Sequence, residues 1–257
     1  MKRCGAEKKW GRAMPIDQTG RRILLEGANN VRDLGGYPTL DGYQTKKGVF
    51  LRSDGLHRLT DADINQLLDM GLRLVVDLRS GQELERKPSR LCGVEGVRYE
   101  HIAMFDGVQS AMFEGQLPRS MGDMYCYLLD HSFDNYRTIF RLFGETKGLS
   151  LFNCAAGKDR TGVLAMLLLK LAGVVDDDVI EDYAISERNI YEASKRQIEE
   201  LRKQGIDAPE YLFQSHKEDM LMTLIHLRER YGGAFYYLRR CGLSDQEIRT
   251  VRKKFIT

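Results

Sequence analysis

Cysteine is scarce in this chain and poorly placed for cross-linking. There are five in 257 residues, an odd number with no Cys-x-x-Cys pair. Neither a disulfide framework nor a zinc knuckle can organise such a sequence, and a reduced, cytoplasmic setting is expected. Histidine is equally thin: His57, His101, His131, His216 and His226 show no metal-ligand spacing, so no metal or other cofactor is expected. Long apolar runs are missing. The most apolar one, Val163 to Leu169, meets Lys170 before Leu171 to Val175; it is too short to insert in a bilayer and reads as a buried helix. No apolar stretch follows the basic N-terminus, so no secretory leader is expected. The formal net charge of +2 lacks the imbalance of a nucleic-acid binder, so nucleic acid is not an expected partner. Internal repeats and low-complexity linkers are absent, and nothing specifies an oligomer.

What is present is an ordinary globular composition, 42% hydrophobic and 30% charged, enough to bury a core without staples. Residues 1–22 are charged and aperiodic and read as a flexible basic N-terminal extension. Residues 23–257 read as one domain. A second basic cluster, Arg249, Arg252, Lys253 and Lys254, reads as the solvated face of the last helix; attraction to anionic lipid or a phosphoprotein is the sharper alternative.

Along the chain, Tyr37 to Phe50 predicts a hairpin around Asp41-Gly42. Thr60 with Asp63 predicts a capped helix start, with Ile64, Leu67 and Leu68 as its buried stripe. Leu72 to Leu78 predicts a buried strand and Val97 to Met104 a second one. Residues 107–124, with glycines, a proline, Met112, Met121 and Met124, predict a long loop or lid. Helical spacing returns at Phe133, Tyr136, Ile139, Phe140 and Phe143. Leu149 to Asn153 then predicts a short strand, followed by a turn and by Thr161 to Val174, apolar on every face. That succession marks the centre of an α/β sandwich. Beyond it the pattern is helical: 178–203 is long and charged, Pro209 opens a helix running to Tyr231 and ending at Gly232-Gly233, and Ser244 with Glu247 caps the last.

The informative stretch is Leu151-Phe152-Asn153-Cys154-Ala155-Ala156-Gly157-Lys158-Asp159-Arg160-Thr161-Gly162. Cysteine and arginine six apart is weak evidence alone: Cys92 and Arg98 share the spacing. That second pair lacks Thr-Gly and runs into a strand, so it is taken as accidental. The first pair has its context. An apolar strand feeds it, small residues fill it, and a strong helix follows. Such a strand–loop–helix aims backbone N–H groups and a positive helix end into one concavity, which suits a phosphate dianion. The same field favours a thiolate over a thiol, making Cys154 the candidate nucleophile. Arg160, planar and always charged, can hold two phosphoryl oxygens at once. Ala155, Ala156, Gly157 and Lys158 form the phosphate-binding wall, and the Thr161 hydroxyl is placed to hydrogen-bond the sulfur.

This segment resembles the phosphate loop of the cysteine-based protein-tyrosine phosphatases. It is most similar to a bacterial tyrosine and dual-specificity branch whose loop reads HCxAGKDRTG. Asn30 to Tyr37, Leu51-Arg52-Ser53, Asp77-Leu78-Arg79-Ser80 with Glu83, Tyr231-Gly232-Gly233 and Gly242-Leu243-Ser244 resemble that branch's other landmarks. One departure stands out: Asn153 occupies the place of a usual histidine. The resemblance implies a phosphatase-type sandwich, a largely parallel sheet flanked by helices. It also implies a helical C-terminal region in which residues 178–231 either cover the pocket as a lid or extend the core. It implies hydrolysis through a phosphocysteine, without a metal. Asp159 is the first choice for the proton donor to the leaving group; Asp106 and Asp77 are the alternatives. Lys158 is expected as a second cation at the pocket floor. Phosphotyrosine on proteins is the first expected substrate, phosphoinositide the runner-up, phosphoserine or phosphothreonine behind. Asn153 also invites a phosphate-binding module without turnover, and a loop cysteine invites a redox or sulfur-transfer protein. Retention of Cys154, Asp159 and Arg160 together argues against both.

Overall fold

The computed structural model describes residues 20–105, 118–206 and 208–257. The N-terminal extension up to residue 19, with Trp10, lies outside the described residues, as do Asp106 and Met112. Five strands form one sheet in the order β1-β2-β5-β3-β4: β1 (Arg32–Asp33), β2 (Phe50–Ser53), β3 (Leu72–Asp77), β4 (Arg98–His101) and β5 (Leu149–Asn153). Only β1 runs antiparallel, against β2; the other neighbours are parallel. The expected α/β sandwich with a largely parallel sheet is the fold.

Strand alternation divides the core between the two faces. Phe50, Leu74, Val76 and Phe152 join the larger cluster, whereas Leu51, Val75 and Leu151 join the smaller one. The smaller face is covered by α1 (Asp61–Asp69), started by the expected Thr60–Asp63 capping box, with Leu67 fully buried. A short α2 (Gly81–Arg86) follows β3, with a second reciprocal box between Ser80 and Glu83.

The larger face carries α3 (Met121–His131), α4 (Phe133–Glu145) and α5 (Arg160–Ala172). Helix α5 is buried on all sides except near Lys170, which is why its sequence shows no polar stripe. It ends at Gly173 in the left-handed conformation, φ 97°, a position a side chain would strain. Four further elements close this side: α6 (Asp176–Lys203), α7 (Lys217–Tyr231), α8 (Ala234–Arg240) and α9 (Asp245–Phe255). Val179, Ile180, Tyr183, Met220, Leu224 and Leu227 belong to the same cluster as Phe152 and α5.

Three local expectations are corrected. Residues 121–124 are helix, not loop: Ser120 caps α3 by accepting from Asp123 N, and Met121 and Met124 are buried. Pro209 does not open a continuous helix; it precedes a single 3₁₀ turn, Glu210–Leu212, and α7 starts afresh at Lys217. The hairpin around Asp41-Gly42 forms, with Thr39 N donating to Tyr43 O and Thr45 N to Tyr37 O on either side of the Pro38–Gln44 bridge, but its second arm stops short of the expected end and Phe50 pairs in the main sheet beside β5.

Ser53, Asn153, Asp77 and His101 are aligned by register at the carboxyl ends of the parallel strands. Open α/β sheets bind ligands beyond that edge. Cys154 is the next residue after the middle strand.

Candidate active site

The loop from Cys154 to Asp159 joins the carboxyl end of β5 to α5. Its carbonyls face outward, each on a different support. Ala155 O accepts from Gly55 N at 2.9 Å, Ala156 O from Asn30 Nδ2 at 3.0 Å, and Gly157 O from Arg52 Nη2 at 2.8 Å. In a planar trans peptide the N–H points opposite to the C=O. Holding these three carbonyls outward therefore turns the N–H groups of Ala156, Gly157 and Lys158 into the loop. Among the described residues, no backbone N–H from Ala155 through Asp159 donates to a protein acceptor. Gly157 and Lys158 are buried, and buried amides are ordinarily paired; a run of unpaired N–H groups around one bend has the geometry to receive an anion. Gly157 permits the bend, with φ 66°. A Cβ there would lie 2.5 Å from Ser53 O and 2.6 Å from Asp54 N.

The supports are themselves buried. Arg32 and Arg52 are 2% and 0% exposed, and both are ion-paired to Asp182 on α6. Burial alone would push the Asp182 carboxyl up, but the two guanidiniums outweigh it and hold it at about 2. Burial and the neighbouring Arg32 bring Arg52 down to about 10. Asn30 Oδ1 accepts from Arg32 Nη1, at 2.5 Å, and from Asn189 Nδ2, at 3.1 Å. One carboxylate on α6 thus fixes the two arginines that order β1, β2 and the loop. Asp182 sits among Val179, Ile180 and Tyr183 on the buried face of its helix. A lone acid on an apolar stripe is the sequence signal for it, since carboxylates are rarely buried unpaired.

Cys154 is 1% exposed and Arg160, the first residue of α5, 6%. The Arg160 guanidinium is gripped from one side by Glu83 at 2.7 and 2.9 Å. Glu83 Oε2 also accepts from Ser80 N at 2.7 Å, so one carboxylate both caps α2 and sets the plane of the guanidinium. Burial raises the Glu83 carboxyl, but Arg160 and Ser80 bring it below its ordinary value. Asn153, fully buried, donates from Nδ2 to Cys154 O at 3.4 Å, while its Oδ1 makes no hydrogen bond. Thr161 is fully buried, and its hydroxyl makes no hydrogen bond to the sulfur or to anything else.

Lys158 departs from expectation. It is 1% exposed, and its ammonium lies 2.9 Å from Leu212 O, 2.8 Å from Gln214 O and 3.2 Å from Asp159 Oδ1. An ammonium has three donors, and each has a protein acceptor. The cation ties the loop to the 3₁₀ turn instead of standing at the pocket floor. Asp159 accepts from Tyr125 Oη at 2.6 Å and keeps a side chain 20% exposed. Asp77 is committed elsewhere, to Arg79 and to Tyr99 Oη at 2.7 Å. The accidental pair is not a site: Cys92 is exposed, while Arg98 opens β4 and pairs with Glu100.

The model of the tyrosine phosphatase family matches residues 23–257. The chain belongs to that family. A tyrosine-protein phosphatase of Nostoc commune is 32% identical over 218 residues, covering 79% of this chain and 73% of its own. The triple specificity protein phosphatase PtpB of Mycobacterium tuberculosis is 27% identical over 274 aligned positions, covering 89% of this chain and 96% of its own. Within this tyrosine phosphatase, the family match runs from Ile23 to the last residue, so the loop and all of its buried supports lie inside it.

Proposed function

We propose that this phosphatase hydrolyses phosphotyrosyl monoesters on proteins through a phosphocysteine at Cys154. The observation that carries the reading is the unpaired amide run from Ala155 to Asp159, bent around Gly157 at the mouth of the middle strand. The thiolate of Cys154 attacks phosphorus in line, forming S–P as the P–O ester bond breaks. Asp159 gives its proton to the departing phenolic oxygen. Water then attacks phosphorus, returns a proton to Asp159, and breaks S–P to release phosphate and restore the thiolate. Arg160, its plane set by Glu83, and the loop amides stabilise the charge spread over the equatorial oxygens, the dominant contribution in reactions of this kind.

Two observations favour the phosphotyrosyl side over inositol lipids. Both relatives carry the name of protein phosphatases. The loop cation that a polyphosphorylated headgroup would need, Lys158, is already bonded within the protein. We further infer a single domain over residues 23–257, with the turn at 210–212 roofing the loop through Lys158. The setting we infer is cytoplasmic, in keeping with Cys92, Cys126, Cys154 and Cys241 as free thiols. No helix among the described residues is long and apolar enough to cross a membrane.

The test is phosphate release from an aryl phosphate in excess chelator, wild type against Cys154→Ser. The substitution is expected to remove turnover while phosphotyrosine still binds. Turnover that survives it ends the cysteine mechanism; no turnover in the wild type leaves a binding module instead. A panel of phosphotyrosyl peptides, phosphoseryl peptides and inositol lipids then ranks the substrates, and lipids ranked first would overturn the assignment.

A further inference from the structure

Asp159 is held by a buried hydroxyl chain that no sequence motif singles out. Tyr125 on α3 donates to Asp159 Oδ1 at 2.6 Å, and Tyr183 on α6 lies 2.7 Å from Tyr125 Oη. A phenol has one proton to donate. With that of Tyr125 given to the carboxylate, the Tyr183 proton goes to Tyr125, and the chain has one direction. Both tyrosines are fully buried and pack edge to face with centroids 5.7 Å apart, leaving neither ring room to swing. Burial first, and the Asp159 charge second, push the Tyr125 hydroxyl well above its ordinary value, so it stays a donor across the working range. Lys158 Nζ adds its contact at 3.2 Å to the same oxygen. Among the described residues, the hydrogen bond and the ion pair of the Asp159 carboxyl both fall on Oδ1, and no protein group donates a hydrogen bond to Oδ2. The charged and titratable groups around it include Tyr125 from α3, Tyr183 from α6 and Lys158 from the loop, with Asp219 of α7 and Arg52 of β2 acting on Tyr183.

We propose that Tyr125, braced by Tyr183, is the positioning residue that decides which oxygen of Asp159 carries the transferable proton. Oδ1, already accepting, cannot hold that proton without losing a bond; it sits on Oδ2. When the P–O bond breaks, the Oδ2 proton goes to the departing oxygen and Asp159 becomes a carboxylate. The donors on Oδ1 then strengthen as charge appears, since hydrogen bonds to an ionised acceptor are the stronger kind. In the second step the attacking water's proton returns to Oδ2. The inference rests on Asp159 as the leaving-group acid.

A positioned acid matters most when the leaving group is poor, which separates this role from packing. Wild type, Tyr125→Phe, Tyr183→Phe and Asp159→Asn are compared by kcat/KM on phenyl phosphate and on p-nitrophenyl phosphate. Loss of one charge-assisted hydrogen bond predicts a drop of roughly 10-fold or more for Tyr125→Phe on phenyl phosphate. On p-nitrophenyl phosphate the change should stay within a few-fold, and Asp159→Asn should show the same selectivity on a scale of about 10²–10⁴. Tyr183→Phe should follow Tyr125→Phe with a smaller effect, and it carries the measurement if Tyr125→Phe does not fold. Equal losses on both esters, or no loss, with Asp159→Asn still selective, overturn the positioning role alone. An Asp159→Asn variant that does not discriminate between the esters removes the acid assignment, and this proposal falls with it.

Discussion

Gly157 shows how a single residue decides whether the cup exists. Its φ of 66° and the 2.5 Å approach of a would-be Cβ to Ser53 O leave no side chain that fits. Gly157→Ala should cost at least about 1–2 kcal/mol from the left-handed backbone alone. It should also disrupt the amide run by pushing the loop off β2. Denaturant unfolding together with aryl phosphate hydrolysis checks this; a stable, fully active variant would contradict the description of the loop. Glu83 acts at the same scale. Glu83→Gln keeps the shape but removes the charge that grips Arg160 at 2.7 and 2.9 Å. Charge-assisted bonds are about twice as strong as neutral ones, so kcat/KM should fall roughly 10-fold. Stability should fall as well, by up to about 3–5 kcal/mol, because the buried Arg160 guanidinium loses its counter-charge. An unchanged kcat/KM would mean that Arg160 needs no such brace.

Among elements, α6 has the least obvious task. It contributes no residue to the loop, yet Asp182 on it anchors Arg32 of β1 and Arg52 of β2, both remote in sequence, and Arg52 holds Gly157 O. Removing one member of a buried ion network leaves uncompensated charge, so Asp182→Asn should cost about 3–5 kcal/mol. It should lower kcat/KM as well, through the released Gly157 carbonyl. A variant that unfolds earlier but keeps full activity at low temperature would separate the network from the loop. Other elements are plain from neighbouring residues alone. Thr60 with Asp63 and Ser244 with Glu247 are reciprocal boxes written within four residues, and both form. The elements that mislead do so for identifiable reasons. Ser120 with Asp123 is a cap signal too, but the glycines and proline around it read as loop. The helix expected from Pro209 breaks because Leu212 O and Gln214 O turn toward Lys158 Nζ instead of continuing a helical ladder.

At the scale of the molecule, the same network sets an acid limit. Asp182 is held at about 2 against an ordinary 3.8. A carboxyl lowered in the folded state contributes stability that is complete above its unfolded value and disappears as pH falls through the folded one. The Asp182 contribution should therefore be intact above about pH 4 and lost between about 4 and 2. Unfolding free energies of wild type and Asp182→Asn, measured from pH 6 downward, should converge across that window. A difference that stays constant with pH would mean the carboxylate is not the source of the stabilisation.

Residue order is enough to dictate what is local: the capped helix starts, the apolar α5, and a loop whose cysteine, glycine and arginine fall at spacings that phosphate chemistry demands. The resemblance to the tyrosine phosphatases follows from those same residues. What turns the loop into a receptor depends on the folded chain. Asn30 reaches Ala156 O across 126 residues, Arg52 reaches Gly157 O across 105, and Asp182 meets Arg52 across 130. No periodicity or spacing rule extends over such distances. A parallel sheet brings sequentially remote strands side by side, so which side chain faces the loop is settled by strand order and register rather than by neighbours in the chain. Lys158 is the clearest instance: its place in the loop suggests a cation for phosphate, and the fold supplies it with three protein oxygens first.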